Sequence, residues 1–280
     1  MDTEKISHTR TSPKEGLDMY FSPEVAEDFA RHEQNDKNFR VAQIVDRTIM
    51  QETKDIHSPI FAAELGGGAH PDRYHRFFEK MLQEPKGHID WVDISPYMLR
   101  LAQKYIDDDR YEDRLQIITF VESGILEYLR TRDDEQLDLC IMKYTIDHIQ
   151  DIDELFRLFS AKIKEGGKVI STINLDPELK SYSTNARFLY EGEQFPDDET
   201  RTLQDGDSFT VKFFRVSGDP QSGFIEGAET TKYFHSTERI KVLSQRYGFE
   251  VFLGDWKDFI SKDAQDGETM DQEILVLTKR

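Results

Sequence analysis

A short apolar segment that runs into three consecutive glycines restricts the fold of this chain more than any other feature. Residues 60–65 (IFAAEL) have the composition of a buried strand, Gly66-Gly67-Gly68 follows, and Pro71 suits the first turn of a helix. Glycine permits backbone angles that other residues avoid and lets a backbone approach a ligand closely. A sharp strand-to-helix turn of this kind is typical of an open α/β sheet that holds a nucleotide-like ligand at its edge.

Strands and helices are predicted to alternate along the residues that follow. The predicted strands are 60–65, 89–92, 115–121, 137–142 and 168–173, and the predicted helices are 71–83, 96–106, 125–131 and 152–163. The pair Gly166-Gly167 is expected to form the turn into the last of these strands. Repeated β-α units of this size indicate a parallel sheet with helices on both faces.

The segments on either side of this core have a different character. Two amphipathic helices are predicted between Pro23 and about Gln51, with a break near Asn35. Residues 176–208 are acidic and loop-rich, and a β-hairpin is predicted after them, from strands at 209–217 and 224–234. A helix at 237–247 and strands at 250–254 and 273–278 are predicted to complete the chain.

We interpret residues 1–280 as one domain with four parts. Residues 1–55 form a tail and a helical lid, 56–175 the ligand-binding core, 176–235 an insertion that caps the substrate, and 236–280 the end of the sheet. A chain of this length, with 37% hydrophobic residues, can bury a core of that size.

The charge balance argues against polyanionic partners. The chain has 36 Lys and Arg against 55 Asp and Glu, which gives a formal net charge of −19. A nucleic-acid binder needs a basic surface, because phosphate contacts dominate its affinity. We therefore expect neither nucleic acid nor an anionic membrane as the main partner.

Cysteine content and hydropathy indicate the cellular compartment of the protein. Cys140 is the only cysteine, so no disulfide can form within the chain, as is usual in a reducing compartment. No apolar stretch has the length needed to span a membrane, and the N-terminus lacks a signal-peptide pattern. These features predict a cytoplasmic protein.

The residues of the glycine turn alone are compatible with either of two ligands. A dinucleotide fingerprint requires glycines at the first, third and sixth positions, and Pro71 stands at the sixth, where glycine permits close packing of helix on strand. The other candidate is S-adenosylmethionine, and for it several further motifs must occur in order along the chain.

Those motifs are present, and the stretch from about Phe61 to Ile173 resembles the class I S-adenosylmethionine-dependent methyltransferases. The matching strings are Glu64-Leu65-Gly66-Gly67-Gly68, VDISPYML at 92–99, LDLCIMKY at 137–144 and LFRLFSAKIKEGGKVISTI at 155–173. His70 departs from the family's first motif, which has a third alternate glycine there. The resemblance implies a Rossmann-like, seven-stranded, mostly parallel sheet with helices on both faces and an antiparallel last strand.

The resemblance also implies a set of cofactor-binding residues. Asp93 is expected to accept the ribose hydroxyls, and Glu64 to orient the ammonium of the methionine tail. Apolar side chains are expected on both faces of the adenine, and Lys143 beside the sulfonium. The full set is Glu64, Gly66, Gly67, Gly68, Asp93, Ile94, Met98, Ser123, Gly124, Ile125 and Lys143.

Three positions leave alternatives open. Asp90 could replace Asp93, although its place within a strand favours a structural role. Glu122 could supply the adenine contact if the register after the third strand shifts, because Ser123-Gly124 stands where the family commonly has an acid. His70 either lines the turn or contacts the cofactor tail or the acceptor.

The acceptor site is predicted beyond the fourth strand. His148 is a candidate general base, Asp147 could orient its imidazole, and Tyr144 is expected to border the transferred methyl group. The alternative is an acid at a helix N-terminus beside a packing histidine. Tyr20, Phe21 and His235 are the predicted substrate-binding residues, and His235 is a second candidate for the general base. Aromatic residues of the insertion either line this pocket or form the insertion's own core.

The chain is thus expected to transfer a methyl group from S-adenosyl-L-methionine to an oxygen or nitrogen of a small-molecule acceptor by in-line displacement, without a metal. Alternatives are a protein or RNA methyltransferase, a non-catalytic binding protein on the same fold, and an NAD-dependent oxidoreductase, which Pro71 disfavours. The sequence leaves open whether the protein is a monomer or a homodimer.

Overall fold

The computed structural model describes residues 22–34, 36–57, 59–83, 85–106, 112–183, 185–254 and 273–280. The α-helices in these ranges are α1 (Pro23–Glu33), α2 (Asp36–Glu52), α3 (His75–Met81), α4 (Pro96–Ile106), α5 (Ile125–Thr131), α6 (Ile152–Lys162) and α7 (Thr237–Arg246). The strands are β1 (Phe61–Leu65), β2 (His88–Asp93), β3 (Ile118–Glu122), β4 (Leu137–Met142), β5 (Ile163–Ile173), β6 (Glu178–Lys180), β7 (Ala186–Tyr190), β8 (Thr200–Thr202), β9 (Ser208–Val216), β10 (Asp219–Tyr233), β11 (Phe249–Gly254) and β12 (Glu273–Lys279).

Seven of these strands form one sheet in the order β11-β12-β5-β4-β1-β2-β3. The pairs among β5, β4, β1, β2 and β3 are parallel, and β12 is antiparallel to both β5 and β11. The predicted Rossmann-like sheet with an antiparallel last strand is confirmed. The chain order reverses at β1, which lies between β4 and β2, and ligands of open α/β sheets bind at the carboxyl edge beside such a reversal.

Helices cover both faces of the sheet, as predicted. On one face, Ile49 of α2 and Phe77 and Phe78 of α3 pack against the strands, and on the other face Tyr128 of α5 and Phe156 of α6 do so. The inner strands read as continuous apolar runs because parallel strands are buried on both faces. This two-sided core holds the carboxyl ends of β1, β2 and β4 rigidly.

The insertion forms two small sheets beside the main one. Strands β7, β9 and β10 form an antiparallel sheet, and β6 pairs with β8. The predicted hairpin is β9 and β10, which pair antiparallel. Phe209 and Phe234 pack with Phe195 and Leu203 in a core of the insertion's own, so part of its aromatic content is structural.

Several element boundaries differ from the sequence predictions. β3 begins at Ile118 rather than 115, because residues 112–116 form a 3₁₀ turn, and β10 begins at Asp219 rather than 224. The helix expected from Pro71 begins as a 3₁₀ turn, Pro71–Arg73, and α3 starts only at His75. β5 begins at Ile163 and includes the expected Gly166-Gly167 turn, where the pairing with β4 shifts register. Gly166 has a φ of 76°, which glycine adopts without steric cost, so a bulge takes the place of a turn.

None of the helices within the described ranges combines the length and the apolar character needed to cross a membrane.

Candidate active site

The three glycines form a turn packed between β2 and the loop after β4. The amides of Gly66 and Gly67 donate to the carbonyl of Val92 at 2.8 and 2.9 Å. A Cβ at Gly66, whose φ is 78°, would lie 2.5 Å from the side chain of Thr145. Both the backbone angle and the lack of space therefore require glycine here.

The side chain of Trp91 packs against this turn. Its ring is fully buried, its Nε1 donates to the carbonyl of Gly68 at 2.9 Å, and a Cβ at Gly67 would lie 2.4 Å from the ring. This residue was not predicted from the sequence. The available signal was the alternation of β2, which places Trp91 on the same side of the sheet as Asp93.

Asp93 is the last residue of β2, and its carboxylate accepts hydrogen bonds from backbone amides of the glycine turn and of the segment before α4. Its Oδ2 accepts from the amide of Gly68 at 2.9 Å and its Oδ1 from the amide of Ser95 at 2.8 Å. Burial raises the pKa of Asp93 to about 6, and backbone hydrogen bonds oppose that shift. Each carboxylate oxygen keeps a second lone pair, so the group is oriented for two neighbouring hydroxyls such as those of a ribose.

Asp90, the alternative to Asp93, has a structural role. Its carboxylate meets His88 at 3.0 Å, the hydroxyl of Tyr128 at 2.8 Å and the guanidinium of Arg132 at 3.0 Å. These partners link β2 to α5 and its C-terminal end, away from the glycine turn.

Glu64 is a fully buried carboxyl at the end of β1. Its Oε1 accepts from the hydroxyl of Tyr74 at 3.1 Å, and its Oε2 has no hydrogen-bond partner among the described residues. Burial raises the pKa of Glu64 to about 8. An unpartnered buried acceptor oxygen fits a ligand ammonium, which is the group that the sequence analysis assigned to Glu64.

We expect Glu64→Gln to change how stability depends on pH. A carboxyl with a pKa near 8 in the folded state and near 4.5 in the unfolded state retains its proton only when folded, so wild-type stability should fall as pH rises from about 4.5 to 8. Glutamine has no proton to lose and can still accept from Tyr74.

The gain in melting temperature of Glu64→Gln over wild type should therefore be larger at pH 8 than at pH 5, in thermal melts without ligand. The same difference at both pH values would contradict the shifted pKa of Glu64.

The residues after β4 approach the same turn. The side chain of Lys143 is half-buried, with its Nζ 5.8 Å from the ring centre of Tyr144, and burial lowers the pKa of Lys143. Tyr144 has a φ of 60°, rare for a bulky residue, and its amide donates to Thr172 Oγ1 at 2.8 Å. Strained backbone of this kind is common at functional sites.

The predicted adenine-binding residues lie at the ends of β2 and β3. Ser123 and Gly124 follow β3, the amide of Ser123 donates to the carbonyl of Asp93 at 3.0 Å, and Gly124 caps α5. Ile94 and Ile125 are half-buried beside them. Glu122 pairs with Asp93 across β2 and β3 and is exposed.

Met98, also predicted to face the adenine, is fully buried and packs with Ala26 and Ala30 of α1 and with Ala69. Its contact with the adenine therefore stays a prediction.

His70 joins the turn to α1. The ring is buried, its Nε2 lies 2.9 Å from the carbonyl oxygen of Ala30, and its plane meets that of Tyr105 with 4.8 Å between ring centres. Where the family has glycine, this chain thus has a side chain that anchors α1 over the turn.

His148 and Asp147 lie in a 3₁₀ turn after β4, but they contact different partners. The Nδ1 of His148 shares a hydrogen bond with Thr230 Oγ1 at 3.1 Å, and the carboxylate of Asp147 lies 3.8 Å from Lys232 Nζ. Thr230, rather than the expected Asp147, therefore orients the imidazole. Burial lowers the pKa of His148 to about 3 and raises that of Asp147 to about 6.

The predicted substrate-binding residues are only partly described. His235 is buried, and its Nε2 lies 2.9 Å from the carbonyl oxygen of Ile149, a contact that links the end of β10 to the loop before α6. The contact of His235 with Ile149 is structural, and a contact of His235 with the acceptor stays a prediction. Tyr20 and Phe21 lie outside the described residues.

Comparisons with known proteins agree with this geometry. Residues 67–171 match the family model for a methyltransferase domain. No curated protein shows significant similarity to the chain.

Among solved structures, an S-adenosylmethionine-dependent methyltransferase from Clostridium acetobutylicum is similar, with 18% identity, a TM-score of 0.54, and coverage of 90% of this chain and 98% of that one. Phosphoethanolamine N-methyltransferase 2 of Haemonchus contortus, solved with S-adenosyl-L-methionine, has 15% identity, a TM-score of 0.50, and coverage of 91% of this chain and 59% of that one. Likenesses at these identities establish the fold.

Residues 67–171 form a methyltransferase domain, and the ordered motifs and the turn with Asp93 and Glu64 resemble those of the class I S-adenosylmethionine-dependent methyltransferases. The cofactor of that class is S-adenosyl-L-methionine. The residues present fit that group, because Asp93 suits a ribose diol and the unpartnered Oε2 of Glu64 suits an ammonium.

Proposed function

We propose that the enzyme methylates an oxygen or nitrogen atom of a small molecule. The observation that carries the proposal is that β10 of the insertion contacts the residues after β4, where an acceptor must meet the methyl group. Thr230 and Lys232 of β10 contact His148 and Asp147 directly. A covered site suits an acceptor that can be enclosed better than one that stays attached to a macromolecule.

The contact between α1 and the insertion supports the same proposal. The ring of Phe29 meets that of Phe213 edge to face with 4.9 Å between centres, and His32 meets Phe213 at 5.7 Å. Ile225 and Ala228 of β10 pack against the same helix residue, Phe29. An aromatic and apolar cover suits an acceptor with an apolar or planar part.

The main alternative acceptor is RNA or a protein. The net charge of −19 disfavours RNA, and we propose no nucleic-acid or membrane partner. We also propose a cytoplasmic location, in keeping with the single, buried thiol of Cys140.

Methyl transfer requires little of the protein beyond alignment of the reactants. S-adenosyl-L-methionine supplies an electrophilic methyl group on its sulfonium when bound. The protein contributes alignment of the acceptor and exclusion of water, and it accepts a proton if the acceptor is a hydroxyl. His148 is held neutral by burial and by the nearby Lys232, so one of its ring nitrogens carries no proton at neutral pH and can accept one.

We expect His148→Ala to lower kcat about 100-fold, the lower end of what a positioned general base contributes, while the affinity for S-adenosylhomocysteine stays unchanged. Because the pKa of His148 lies near 3, the wild-type rate should show no inflection from this group between pH 5 and 8.

Thr230→Val is the matched variant, since it removes the hydrogen bond to Nδ1 with little change in volume, and it should cause a smaller loss of kcat. An unaltered kcat in His148→Ala would exclude the base role.

Incubation with tritiated-methyl S-adenosyl-L-methionine and a cell extract tests the proposed acceptor class. After separation of protein, RNA and low-molecular-mass fractions, the label should be found in the low-molecular-mass fraction, and Asp93→Ala should not transfer it. Label confined to RNA or protein would refute the proposal.

A further inference from the structure

Two residues of β10 face the 3₁₀ turn after β4. Thr230 and Lys232 are two positions apart, so their side chains lie on the same side of the strand. Thr230 Oγ1 lies 3.1 Å from Nδ1 of His148, and Lys232 Nζ lies 3.8 Å from Oδ2 of Asp147. Because side chains on one side of a strand are spaced about 7 Å apart, the ammonium of Lys232 lies close to His148 as well as to Asp147.

The ammonium of Lys232 can hold a ligand in addition to its partner in the protein. The side chain is 15% exposed, so it is partly buried but still reachable. Among the described residues Asp147 is its one acidic partner, at a distance longer than a normal hydrogen bond. An ammonium has three donors, and this loose ion pair engages at most one of them. Lys232 can therefore bind an anionic group of a ligand beside His148.

The potential at His148 is positive because of Lys232. Burial lowers the pKa of His148, and the charge of Lys232 lowers it further. No other charged side chain in the part of the chain that the structure describes shifts this pKa. Asp147 does not contribute, and its carboxylate accepts from the backbone amide of Asn174. An acceptor that meets His148 therefore meets the positive charge of Lys232 and not the negative charge of Asp147.

A positive charge beside the acceptor distinguishes oxygen from nitrogen. An ionised hydroxyl group is negative before methyl transfer and neutral after it, so a nearby ammonium raises the fraction of the acceptor that is ionised. A neutral amine becomes positive as its bond to the methyl group forms, and a nearby ammonium opposes that change. The arrangement therefore favours an acidic hydroxyl group and disfavours an amine.

We propose, on the basis of the proposed function, that Lys232 is a catalytic residue that binds the oxygen of an ionised acceptor hydroxyl group, and that the enzyme is an O-methyltransferase. His148 accepts the hydroxyl proton, which later passes to solvent, and an electron pair of the oxygen forms the new bond to the methyl carbon. The bond between that carbon and sulfur breaks with its electron pair left on sulfur, which gives S-adenosylhomocysteine. Lys232 keeps its proton throughout.

The bond that holds the transferred methyl group tests the proposal without knowledge of the acceptor. The low-molecular-mass product labelled from tritiated-methyl S-adenosyl-L-methionine in a cell extract is heated with hydriodic acid. This reagent releases methyl groups bound to oxygen as volatile methyl iodide, whereas methyl groups bound to nitrogen or carbon stay in the residue. The label should become volatile.

Lys232→Met should lower the amount of label transferred about tenfold or more, because it removes the charge that stabilises the oxygen anion. Lys232→Arg keeps a positive charge and should restore most of the transfer. Both variants should bind S-adenosylhomocysteine within about twofold of wild type in calorimetric titrations, which also shows that they fold. Lys212→Met is the matched control: Lys212 lies in the same small sheet, is 27% exposed and pairs with Glu229, and its loss should leave transfer unchanged.

Two kinds of result would overturn the proposal in distinguishable ways. Non-volatile label in the low-molecular-mass product, or a Lys232→Met variant that binds S-adenosylhomocysteine and transfers label as well as wild type, refutes the role of Lys232 and leaves the proposed function standing. The volatility test uses the wild-type protein, so it decides the matter even if Lys232→Met does not fold. Label confined to RNA or protein, or no label in any fraction, refutes the proposed function together with the role of Lys232.

Discussion

Asp93→Ala should weaken the binding of S-adenosylhomocysteine about 100-fold or more. The substitution removes a buried carboxylate that can accept two hydroxyl hydrogens, and each such charge-assisted bond contributes about 1.5–3 kcal/mol. It also removes the acceptor for the amides of Gly68 and Ser95, so the turn itself loses support. Calorimetric titration of the purified variant measures the effect.

Glu165→Ala is the matched control for Asp93→Ala. Glu165 is an exposed carboxylate in β5 beside Gly166, and its loss should leave affinity within about twofold of wild type. A melting curve of Asp93→Ala separates weak binding from loss of fold. A folded Asp93→Ala protein with wild-type affinity would contradict the ribose assignment.

Gly67→Ala should destabilise the protein by about 1–3 kcal/mol. Its Cβ would lie 2.4 Å from two atoms of the fully buried Trp91 ring, and a packed core accommodates an added methyl group only by shifting its neighbours. The melting temperature should fall by several degrees, and affinity for S-adenosylhomocysteine should fall with it because Trp91 also holds the carbonyl of Gly68.

Gly124→Ala provides the control for Gly67→Ala. Gly124 has a φ of −70°, and a Cβ there would meet nothing within 4 Å, so the substitution should leave the melting temperature unchanged. Equal melting temperatures for Gly67→Ala and wild type would contradict the packing of Trp91 beneath the turn.

The core of the fold was predictable because its strands are short apolar runs bounded by turn residues. The bounds of α4, α5 and β4 agree with the sequence predictions residue for residue. Strands β6, β7 and β8 were missed because three to five residues are too few to show a period of two against an acidic, loop-rich background. The boundary of α3 was missed because Pro71 starts a 3₁₀ turn as readily as an α-helix.

The geometry of the glycine turn was more predictable than the contacts of the residues after β4. Asp93 and the glycines are fixed by local chain geometry, which a motif records. Contacts such as His148 with Thr230 or His235 with Ile149 join residues 82 and 86 positions apart, and they depend on how the insertion packs. His70 shows the same limit: its departure from the glycine pattern was visible, but its partner Ala30 was not.

Titration of the wild-type protein with S-adenosylhomocysteine and, in parallel, with NAD⁺ tests the assignment of the glycine turn most directly. We predict saturable one-site binding of S-adenosylhomocysteine and none of NAD⁺, because Pro71 stands where a dinucleotide turn requires glycine. Binding of NAD⁺ without binding of S-adenosylhomocysteine would contradict it.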